Sequence, residues 1–449
     1  MTRIRRRRPI IASAAPALGL AVAAALGPAR PALAEDLPVE PRFAALDAWL
    51  ASNPAFFPNG VGLTLVEGGE VVFRRSYHGF DPDDVRPIAS STKWISGLAI
   101  TAAIADPSSG LALDTPIAEH VPAFGPPSSP DKASITLQQA FAHLAGFPSA
   151  PPNPHRNALI THEQAVSLIS TIELDGEPGE RIHYDGKAMS AAALATAAAL
   201  GTDWTSHAES VLFGPLGMDA TDWDAFTPPE AIPTANPNPA GSIRTSMRDY
   251  ERFLVMLGSG GTVDGTEIVP AEAIRLLLVD AAGVETPIDR SPYRTYVPFV
   301  PEVGAFRTGF GCFIDPTRIV PDVAAGESAV RWATSAGAFG TNAFLDLDRE
   351  LAGVLFTFND DRWPNPDPDL PSYNPSTRAF LQFVRPLIEA AVPRVCPTDV
   401  NRNGFTGFGD VLRVLGAWNA TIGPEDVDGD GTVGFADLVA VLAACGPCG

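Results

Sequence analysis

The order of its predicted strands and helices constrains the fold of this chain more than any single motif. Residues 61–76, "VGLTLVEGGEVVFRRS", alternate in polarity on either side of Gly68-Gly69, which predicts a β-hairpin. Helical apolar spacing follows, and strand-like runs return in "GFGCFID", "AFGTNAFLDLD" and "ELAGVLFTF" before a final helix in "TRAFLQFVRPLIEAAV". Helices are predicted at residues 40–54, 91–105, 136–144, 161–170, 187–200 and 246–257. The order indicates an α+β fold, in which an antiparallel sheet is assembled from both ends of the region and a helical domain is inserted between them.

The first 34 residues have the pattern of an export signal. Arg3 to Arg8 form a basic segment, Ile10 to Leu26 an apolar run, and Ala32-Leu33-Ala34 a small-residue cleavage site. The arginine cluster also suits a twin-arginine signal, although the full motif is absent. No later segment approaches 18 uninterrupted apolar residues, so we expect a secreted, periplasmic or cell-surface protein that is not an integral membrane protein.

Composition excludes two classes of partner. The formal net charge is −21, and removal of a leader with six arginines and no acidic residue brings it to −27. Nucleic acids and anionic membranes both need a basic protein face, so neither is expected as a partner. With 45% hydrophobic residues in 449, we expect a packed core and more than one module. The predicted domains are a signal peptide at 1–34, a main domain at 35–392 and a small module at 396–449.

A lysine in an apolar segment marks the first candidate for catalysis. The chain has three lysines, and Lys93 lies three residues after Ser90 in "RPIASSTKWISGLAI". On a helix that begins near Ser90, both side chains share a face. A serine hydroxyl needs a proton acceptor to become nucleophilic, and a desolvated lysine can assist where an arginine cannot. The alternative is that Ser90 caps the helix and Lys93 extends to the surface. A second S-x-x-K, Ser129 to Lys132, lies in "GPPSSPDKAS" and is predicted to be a loop.

Several ordered segments resemble one enzyme family. "PIASSTKWISG", "ITLQQAFAHLAGFPS", "GERIHYDGKAMSAAALATAAALG", "AGSIRTSMRDYERFLVMLGSGG" and "SAGAFGTNAFLDLDRELAGVLFTF" are similar to successive motifs of the class C β-lactamase-related serine hydrolases. These include penicillin-binding proteins, D-peptidases and esterases. The resemblance covers roughly residues 40–392 and implies the β-lactamase/transpeptidase-like fold, with helices flanking the antiparallel sheet.

The resemblance assigns a role to several residues. It makes Ser90 the acylated nucleophile, Lys93 the group that lowers its proton affinity, and Tyr184 the base that also protonates the leaving group. The N–H groups of Ser90 and Ala338 become the oxyanion hole. Gly337 then lets a strand approach the substrate closely. Tyr184 as a core tyrosine and Gly337 as a plain β-bulge remain the alternatives.

Two departures from the family motifs concern the substrate pocket. The third position of the family's Y-x-N motif is Gly186 here, and the K-T-G or H-x-G motif is Ser335-Ala336-Gly337. The amide that commonly contacts a substrate side-chain carbonyl and the fixed cation that would pair with a substrate carboxylate are therefore missing, and we predict weak or no β-lactam hydrolysis. An ester is the expected substrate, with a D-peptide hydrolase or a catalytically silent binding protein as alternatives. No G-x-S-x-G elbow occurs, which disfavours an α/β-hydrolase, and no catalytic cofactor is expected.

The last 54 residues contain a repeat. "DVNRNGFTGFGDVLRVLGAW" (399–418) aligns with "DVDGDGTVGFADLVAVLAAC" (426–445), and each fits an EF-hand-like loop, D-x-[DN]-x-[DN]-G-x₅-D. Oxygen ligands at this spacing predict two structural Ca²⁺ sites, the alternative being solvated Asp/Gly turns. The predicted ligands, with the backbone carbonyl at the seventh position, are Asp399, Asn401, Asn403, Phe405 and Asp410, then Asp426, Asp428, Asp430, Thr432 and Asp437.

This repeat resembles a dockerin, which implies a cohesin partner. At loop positions 10 and 11, where dockerins usually carry small polar residues, stand Phe408-Gly409 and Phe435-Ala436, so a cell-surface partner or a purely stabilising role stays open. Such modules accompany polysaccharide-degrading systems, which makes a glycan-linked ester one candidate substrate.

The four cysteines fall into two groups. Cys312 lies in a strand-like run and is predicted to be a buried free thiol. Cys396 precedes the module, and Cys445 and Cys448 end it, so a bridge from Cys396 to either one would join the two ends of the module.

Overall fold

A seven-stranded antiparallel sheet lies at the centre of the computed structural model. Its strands are β1 (Val61–Glu67), β2 (Glu70–Tyr77), β3 (Arg307–Thr308), β4 (Phe313–Ile314), β5 (Trp332–Ala336), β6 (Asn342–Asp346) and β7 (Leu351–Phe356). Their order across the sheet is β2-β1-β7-β6-β5-β4-β3. The structure describes residues 36–126, 128–283, 285–322, 327–394, 396, 398–400, 405–420, 425–427, 432–444 and 446–447. The predicted export signal lies outside these residues.

The two ends of the region pair with each other within this sheet. Strand β1 pairs with β7, from Gly62 opposite Phe356 to Glu67 opposite Leu351. The β1–β2 hairpin turns at Gly68 and Gly69, whose φ angles are +55° and +86°. Such φ values are those of the two-residue turns that match strand twist. The predicted α+β fold, with a sheet built from both ends, is therefore confirmed.

Most of the helices lie where the sequence predicted them, and some were not predicted. The α-helices are α1 (Ala44–Ser52), α2 (Thr92–Ala105), α3 (Ile117–His120), α4 (Pro130–Ala133), α5 (Leu137–Phe141), α6 (His162–Ser170), α7 (Lys187–Ala199), α8 (Trp204–Ala208), α9 (Gly214–Leu216), α10 (Met247–Gly258), α11 (Ala271–Leu277), α12 (Pro375–Ala379), α13 (Arg385–Ala391), α14 (Phe408–Gly416) and α15 (Phe435–Ala443). Two π-helical segments, Glu209–Phe213 and Phe380–Val384, follow α8 and α12.

The segment of the second S-x-x-K motif was predicted wrongly. Instead of a loop, Pro130 occupies the first turn of the short helix α4, where its missing N–H costs nothing. Lys132 on this helix is buried, and its Nζ donates to the Ser170 carbonyl at 2.8 Å. This lysine links two helical segments and lines no part of the cavity described below.

The sheet is covered on both faces. In β7, Ala352, Val354 and Phe356 belong to one apolar cluster, which includes most of α2 and α7. The alternate residues Leu351 and Leu355 belong to a second cluster, with α1 and the helices after the sheet. Successive side chains of a strand point to opposite faces, so a sheet packed on both sides needs an unbroken apolar run. The sequence "LAGVLF" supplies one.

Short strand pairs connect the helical region to the sheet. They are Arg86–Pro87 with Arg244–Thr245, Ile182–His183 with Ile288–Arg290, Thr262–Val263 with Thr266–Glu267, and Ile319–Asp322 with Glu327–Val330. The pair Ile182–His183 with Ile288–Arg290 is parallel. This pair and the pair Arg86–Pro87 with Arg244–Thr245 anchor segments of the candidate site. Within the described residues, no helix is both long and apolar enough to cross a bilayer.

The C-terminal region has its own small core. Helices α14 and α15 pack together around Val400, Val411, Val414, Val433 and Val441. Phe405–Thr406 pairs with Gly446–Pro447. The predicted boundaries at 392 and 396 stay predictions.

Two cysteine predictions can be compared with the structure. Cys312 is free and buried, as predicted, and burial raises the pKa of its thiol to about 12. Cys396 is disulfide-bonded. Cys445 and Cys448 lie outside the described residues, so the choice between them as its partner stays a prediction.

Candidate active site

Ser90 lies in a sharp turn just before the buried helix α2. Residues Ala89–Ser91 form one turn of 3₁₀-helix, and Ala89 has a φ of +46°, a left-handed value uncommon for a residue with a Cβ. Strain of this kind persists where surrounding structure fixes the backbone. Here Ile88 N–H donates to the Ile243 carbonyl at 3.1 Å, next to the strand pair Arg86–Pro87 with Arg244–Thr245. The turn leaves Ser90 half-buried at a cavity wall.

The residue after Ser90 fixes this turn against the sheet. Ser91 is fully buried; its Oγ donates to the Ser335 carbonyl at 3.0 Å and lies 3.0 Å from the Tyr250 hydroxyl. At Gly337 a Cβ atom would lie 2.2 Å from the Ile88 carbonyl oxygen. Gly337 therefore allows the end of β5 to approach the Ser90 turn, and the close approach is to protein backbone.

Tyr184 reaches Ser90 from the helical region. Its Oη donates to the Ser90 Oγ at 2.8 Å, across 94 residues of sequence. The Tyr184 N–H donates to the Arg290 carbonyl at 3.1 Å, beside the parallel pair of short strands. The ring stacks on Phe313 and lies against His143, with centroids 5.9 and 4.4 Å away. Backbone and ring contacts together hold the phenol in place.

Lys93 is buried one turn after Ser90. Its Nζ donates to the Ala240 carbonyl at 2.6 Å and lies 4.9 Å from the centroid of the Tyr184 ring. The structure therefore brings Ser90, Lys93 and Tyr184 together.

Lysine identity alone does not distinguish Lys93. All three lysines of the chain, Lys93, Lys132 and Lys187, are buried. Lys187 Nζ donates to the carbonyls of Pro148 and Ala150 and to Asp185 Oδ2, at 2.5, 3.2 and 3.1 Å. Arginines of the described chain, for example Arg74 and Arg318, are buried as well, so burial does not single out Lys93. The position of Lys93 beside Ser90 and Tyr184 is what marks it for chemistry.

Two N–H groups fit the predicted oxyanion hole. Neither the Ser90 N–H nor the Ala338 N–H has a hydrogen-bond acceptor within the described part of the chain. Both residues line the same cavity. The Ala338 carbonyl is held from behind by Arg362 Nη2 at 2.8 Å and Asn374 Nδ2 at 3.3 Å, which fixes the peptide backbone there.

The cavity over Ser90 has a volume of about 420 Å³. Gly186 lines it, as predicted for the substrate pocket. Ser335 and Gly337, also predicted there, are not among the described residues that line it, because Ser335 is buried in β5 and Gly337 packs on Ile88. These two residues support the Ser90 turn.

Histidines near the site support the segment that carries Tyr184. His143 Nδ1 lies 2.8 Å from the Asp185 carbonyl oxygen, and burial beside the positive Lys93 lowers its pKa to about 3. His183 contacts Asp289 Oδ2 at 2.7 Å and Ser149 Oγ at 2.9 Å. The His143 ring therefore holds backbone next to Tyr184, and the His183 ring contacts Ser149, whose Oγ donates to the Tyr184 carbonyl at 2.7 Å.

The chain is similar to known proteins in sequence and in fold. Residues 58–373 match the sequence profile of the family described as Beta-lactamase, more than half of the chain. The chain belongs to the β-lactamase family. Two curated Mycobacterium tuberculosis proteins, one of them described as uncharacterized, are each 24% identical over 242 residues. That alignment spans 44% of this chain and 60% of each relative.

Solved structures share the β-lactamase-family fold. A Bacteroides dorei protein provisionally assigned as a β-lactamase is 21% identical, with a TM-score of 0.63 over 78% of this chain and 97% of that one. A Caulobacter crescentus penicillin-binding protein homologue is 18% identical, with a TM-score of 0.56 over 80% and 99%. EstCE1, a hydrolase with promiscuous acyltransferase activity, is 16% identical, with a TM-score of 0.56 over 77% and 98%. At these identities the likeness establishes the fold alone.

The cavity of this β-lactamase-family chain also contains residues that the sequence analysis missed. They are His155, Arg156, Trp223, Asn236 and Arg290. His155 and Arg156 lie in one turn of 3₁₀-helix (Pro154–Arg156), Trp223 and Asn236 on loops and Arg290 at the end of a short strand, and only the folded chain brings them beside Ser90. No local pattern in the sequence distinguishes them.

The candidate calcium loops are described in part. Asn401, Asn403, Asp428 and Asp430 lie outside the described residues. Asp410 and Asp437 are buried at the start of α14 and α15, where one oxygen of each accepts from the Gly407 N–H at 2.8 Å and the Gly434 N–H at 2.6 Å. Asp399 is buried as well, whereas the described residues contain no cluster of three metal-binding side chains. Buried carboxylates fit a cation site, because a buried charge needs compensation.

Proposed function

We propose that this protein is an exported serine hydrolase that cleaves an ester, or an amide, through an acyl-enzyme on Ser90. The observation that carries the proposal is the 2.8 Å hydrogen bond between Tyr184 Oη and Ser90 Oγ at the wall of a cavity. A nucleophile within reach of its base, beside two unoccupied N–H donors, is the arrangement that acyl transfer requires.

The first half of the reaction forms the acyl-enzyme. Ser90 Oγ attacks the substrate carbonyl carbon while Tyr184, in its phenolate form, takes the hydroxyl proton. Lys93 stabilises negative charge on the phenol oxygen through its ammonium group beside the ring. The Ser90 and Ala338 N–H groups receive the charge that develops on the carbonyl oxygen. Tyr184 then returns the proton to the departing alcohol, and the acyl group stays on Ser90.

The second half releases the acid. A water molecule attacks the acyl carbon, Tyr184 takes a proton from it, and Ser90 Oγ leaves with that proton. The two halves use the same groups in opposite directions, so each proton taken is returned.

Pocket composition favours an ester over a β-lactam. Gly186 presents no amide, and Ser335 is buried where the family has a cation facing substrate. Nitrocefin turnover is expected well below about 10⁴ M⁻¹s⁻¹, the efficiency of a good enzyme. A D-peptide hydrolase is the second candidate, and turnover of D-Ala-D-Ala peptides above that of short p-nitrophenyl esters would favour it.

Active-site labelling tests the enzyme against a silent binding protein. A fluorophosphonate probe is expected to label the wild-type protein and not Ser90→Ala. Turnover of p-nitrophenyl acetate is expected to disappear in the same variant. A folded wild-type sample that neither labels nor turns over any ester would establish the silent alternative.

We also propose that the C-terminal repeat binds two structural Ca²⁺ ions in a dockerin-like manner. The repeated spacing and the buried Asp399, Asp410 and Asp437 support this. Calorimetry is expected to give two Ca²⁺ per chain, and Asp410→Asn with Asp437→Asn to abolish binding. Unchanged unfolding of the region with EGTA and with Ca²⁺ would contradict a structural role.

A cohesin or cell-surface partner is proposed for the same repeat. Equivalent positions of α14 and α15 carry exposed apolar residues: Phe408 with Phe435, Leu412 with Val439, and Leu415 with Leu442. Exposed apolar side chains in a group are typical of a protein interface. Binding to purified cohesins, lost in Phe408→Ser with Phe435→Ser, tests this proposal, and a glycan-linked ester becomes the first natural substrate to examine.

A further inference from the structure

His155 is a cavity residue that the proposed mechanism does not use. It lines the cavity and is 1% exposed. Neither ring nitrogen has a hydrogen bond with another residue of the described chain, and Nδ1 is fully enclosed. Buried polar groups are nearly always hydrogen-bonded, so an imidazole without a partner at a cavity wall calls for an explanation.

The position of His155 is linked to the glycine at 186. A Cβ on Gly186 would lie 3.2 Å from His155 Nε2 and 2.7 Å from the Ala240 Cβ. A side chain at 186 would therefore displace one of these neighbours. The edge of the His155 imidazole therefore lies beside position 186, where the family's Y-x-N motif has an amide side chain.

His155 is a neutral group at physiological pH. Burial, followed by the charges of Arg156, Lys187 and Lys93, lowers its pKa to about 3. A neutral imidazole carries one N–H. Because Nδ1 has no acceptor, the tautomer with the proton on Nε2 avoids an enclosed, unsatisfied donor. Nε2 then becomes a donor for a group in the cavity.

The unneutralised charges of the cavity lining are positive. Arg156 and Arg290 are exposed there, and neither side chain has a hydrogen bond or ion pair with any described residue. The lining carboxylate, Asp185, lies 3.1 Å from Lys187 Nζ. This local excess stands out in a chain whose net charge is −21.

We propose that His155, Arg156 and Arg290 form a subsite for an anionic oxygen group of the substrate, such as a carboxylate. The inference rests on the proposed function and names its substrate class: esters with a negative charge on the acyl or the alcohol part. The subsite is separate from the position of the missing family cation, because Ser335 is buried in β5 and is not among the described residues that line the cavity.

Matched ester pairs test the subsite. The p-nitrophenyl half-ester of glutaric acid is compared with p-nitrophenyl butyrate, which places a carboxylate on the acyl part. 3-Acetoxybenzoate is compared with phenyl acetate, which places a carboxylate on the alcohol part. In at least one pair the charged ester is expected to have a kcat/KM about tenfold higher, the effect of one hydrogen bond to a charged group. His155→Phe and Arg156→Gln are each expected to reduce that ratio severalfold, mainly through KM, and His155→Gln to retain part of it.

The pH dependence of the ratio tests the neutral state of His155. Between pH 5 and 8 the ratio is expected to stay constant, because burial and the neighbouring positive charges lower the pKa of His155 to about 3 and keep the imidazole neutral. If His155 bound the substrate as a cation, the ratio would fall as pH rises through the usual histidine range.

Two outcomes overturn the subsite. One is a ratio near one for both pairs. The other is a ratio that His155→Phe, Arg156→Gln and Arg290→Gln all leave unchanged. If His155→Phe fails to fold, the variants of the two exposed arginines, Arg156→Gln and Arg290→Gln, test the subsite. A wild-type protein that shows neither fluorophosphonate labelling nor ester turnover is a different result, because it contradicts the proposed function itself.

Discussion

At the scale of single residues, the candidate site depends on one contact between distant parts of the chain, the 2.8 Å hydrogen bond from Tyr184 Oη to Ser90 Oγ. Ser90 and Lys93 share a face by helical periodicity, and Tyr184 was assigned only through the family resemblance. His155, Arg156 and Arg290 could not be predicted, since their meeting depends on loops packed far apart in sequence. Lysine scarcity was a misleading signal on its own, because Lys132 and Lys187 are buried for structural reasons.

Tyr184→Phe tests the assignment of the base. It removes the hydroxyl that bonds to Ser90 and leaves the ring contacts with Phe313 and His143. A kcat loss of about 10² to 10⁴ is expected from removing a general base, with little change in melting temperature. Steady-state kinetics on p-nitrophenyl acetate measure it. A loss under threefold would mean that another group accepts the Ser90 proton.

Lys93→Arg tests whether an ammonium is required. The bulkier guanidinium cannot occupy the same buried place between the Ala240 carbonyl and the Tyr184 ring. Activity is expected to fall at least about tenfold. Lys132→Arg is the matched control, as a buried lysine outside the cavity lining, and is expected to lower the melting temperature and keep kcat. Equal kcat losses in the two variants would contradict a catalytic role.

At the scale of elements, the interaction between β5 and the Ser90 turn positions the nucleophile. Gly337 permits this contact, and Ser91 bonds across it to the Ser335 carbonyl. The long helices and the hairpin were predictable because their periodicity extends over many residues. The two-residue strands and the helix α4 were not, since such short elements depend on tertiary hydrogen bonds.

Gly337→Ala is expected to disturb stability and activity together. Its Cβ would lie 2.2 Å from the Ile88 carbonyl oxygen, so the strand or the turn must shift. Overpacking of this kind costs about 1–3 kcal/mol of the free energy of unfolding. Gly416→Ala is the control, because a Cβ there meets nothing within 4 Å. Denaturant unfolding of both variants measures the cost, and an unperturbed Gly337→Ala would contradict the packing argument.

At the scale of the whole molecule, buried neutral histidines couple folding to pH. The pKa values of His143 and His155 are lowered to about 3, chiefly by burial, and those of His162 and His207 are lowered too. An unfolded histidine titrates near 6.5. The unfolded chain therefore binds more protons between pH 6.5 and 3, and the free energy of unfolding falls as pH falls through that window.

His143→Asn isolates one of these contributions. Asparagine tolerates the φ of +59° at this position and takes up no proton. The variant is expected to be less stable at neutral pH and to lose less stability on acidification, by up to about 1.4 kcal/mol for each pH unit in the window. Denaturant unfolding at pH 4, 5 and 7 measures the two slopes. Parallel slopes for the variant and the wild type would contradict a neutral buried His143.

The pairing of β1 with β7 has a consequence for biosynthesis. The partner of Gly62 is Phe356, so almost 300 residues must leave the ribosome before this pair of strands can form. Until then β1 has an open edge, which favours association between nascent chains and a need for chaperones. A gene truncated anywhere upstream of codon 351 is expected to yield an insoluble product, however complete its nucleophile motif.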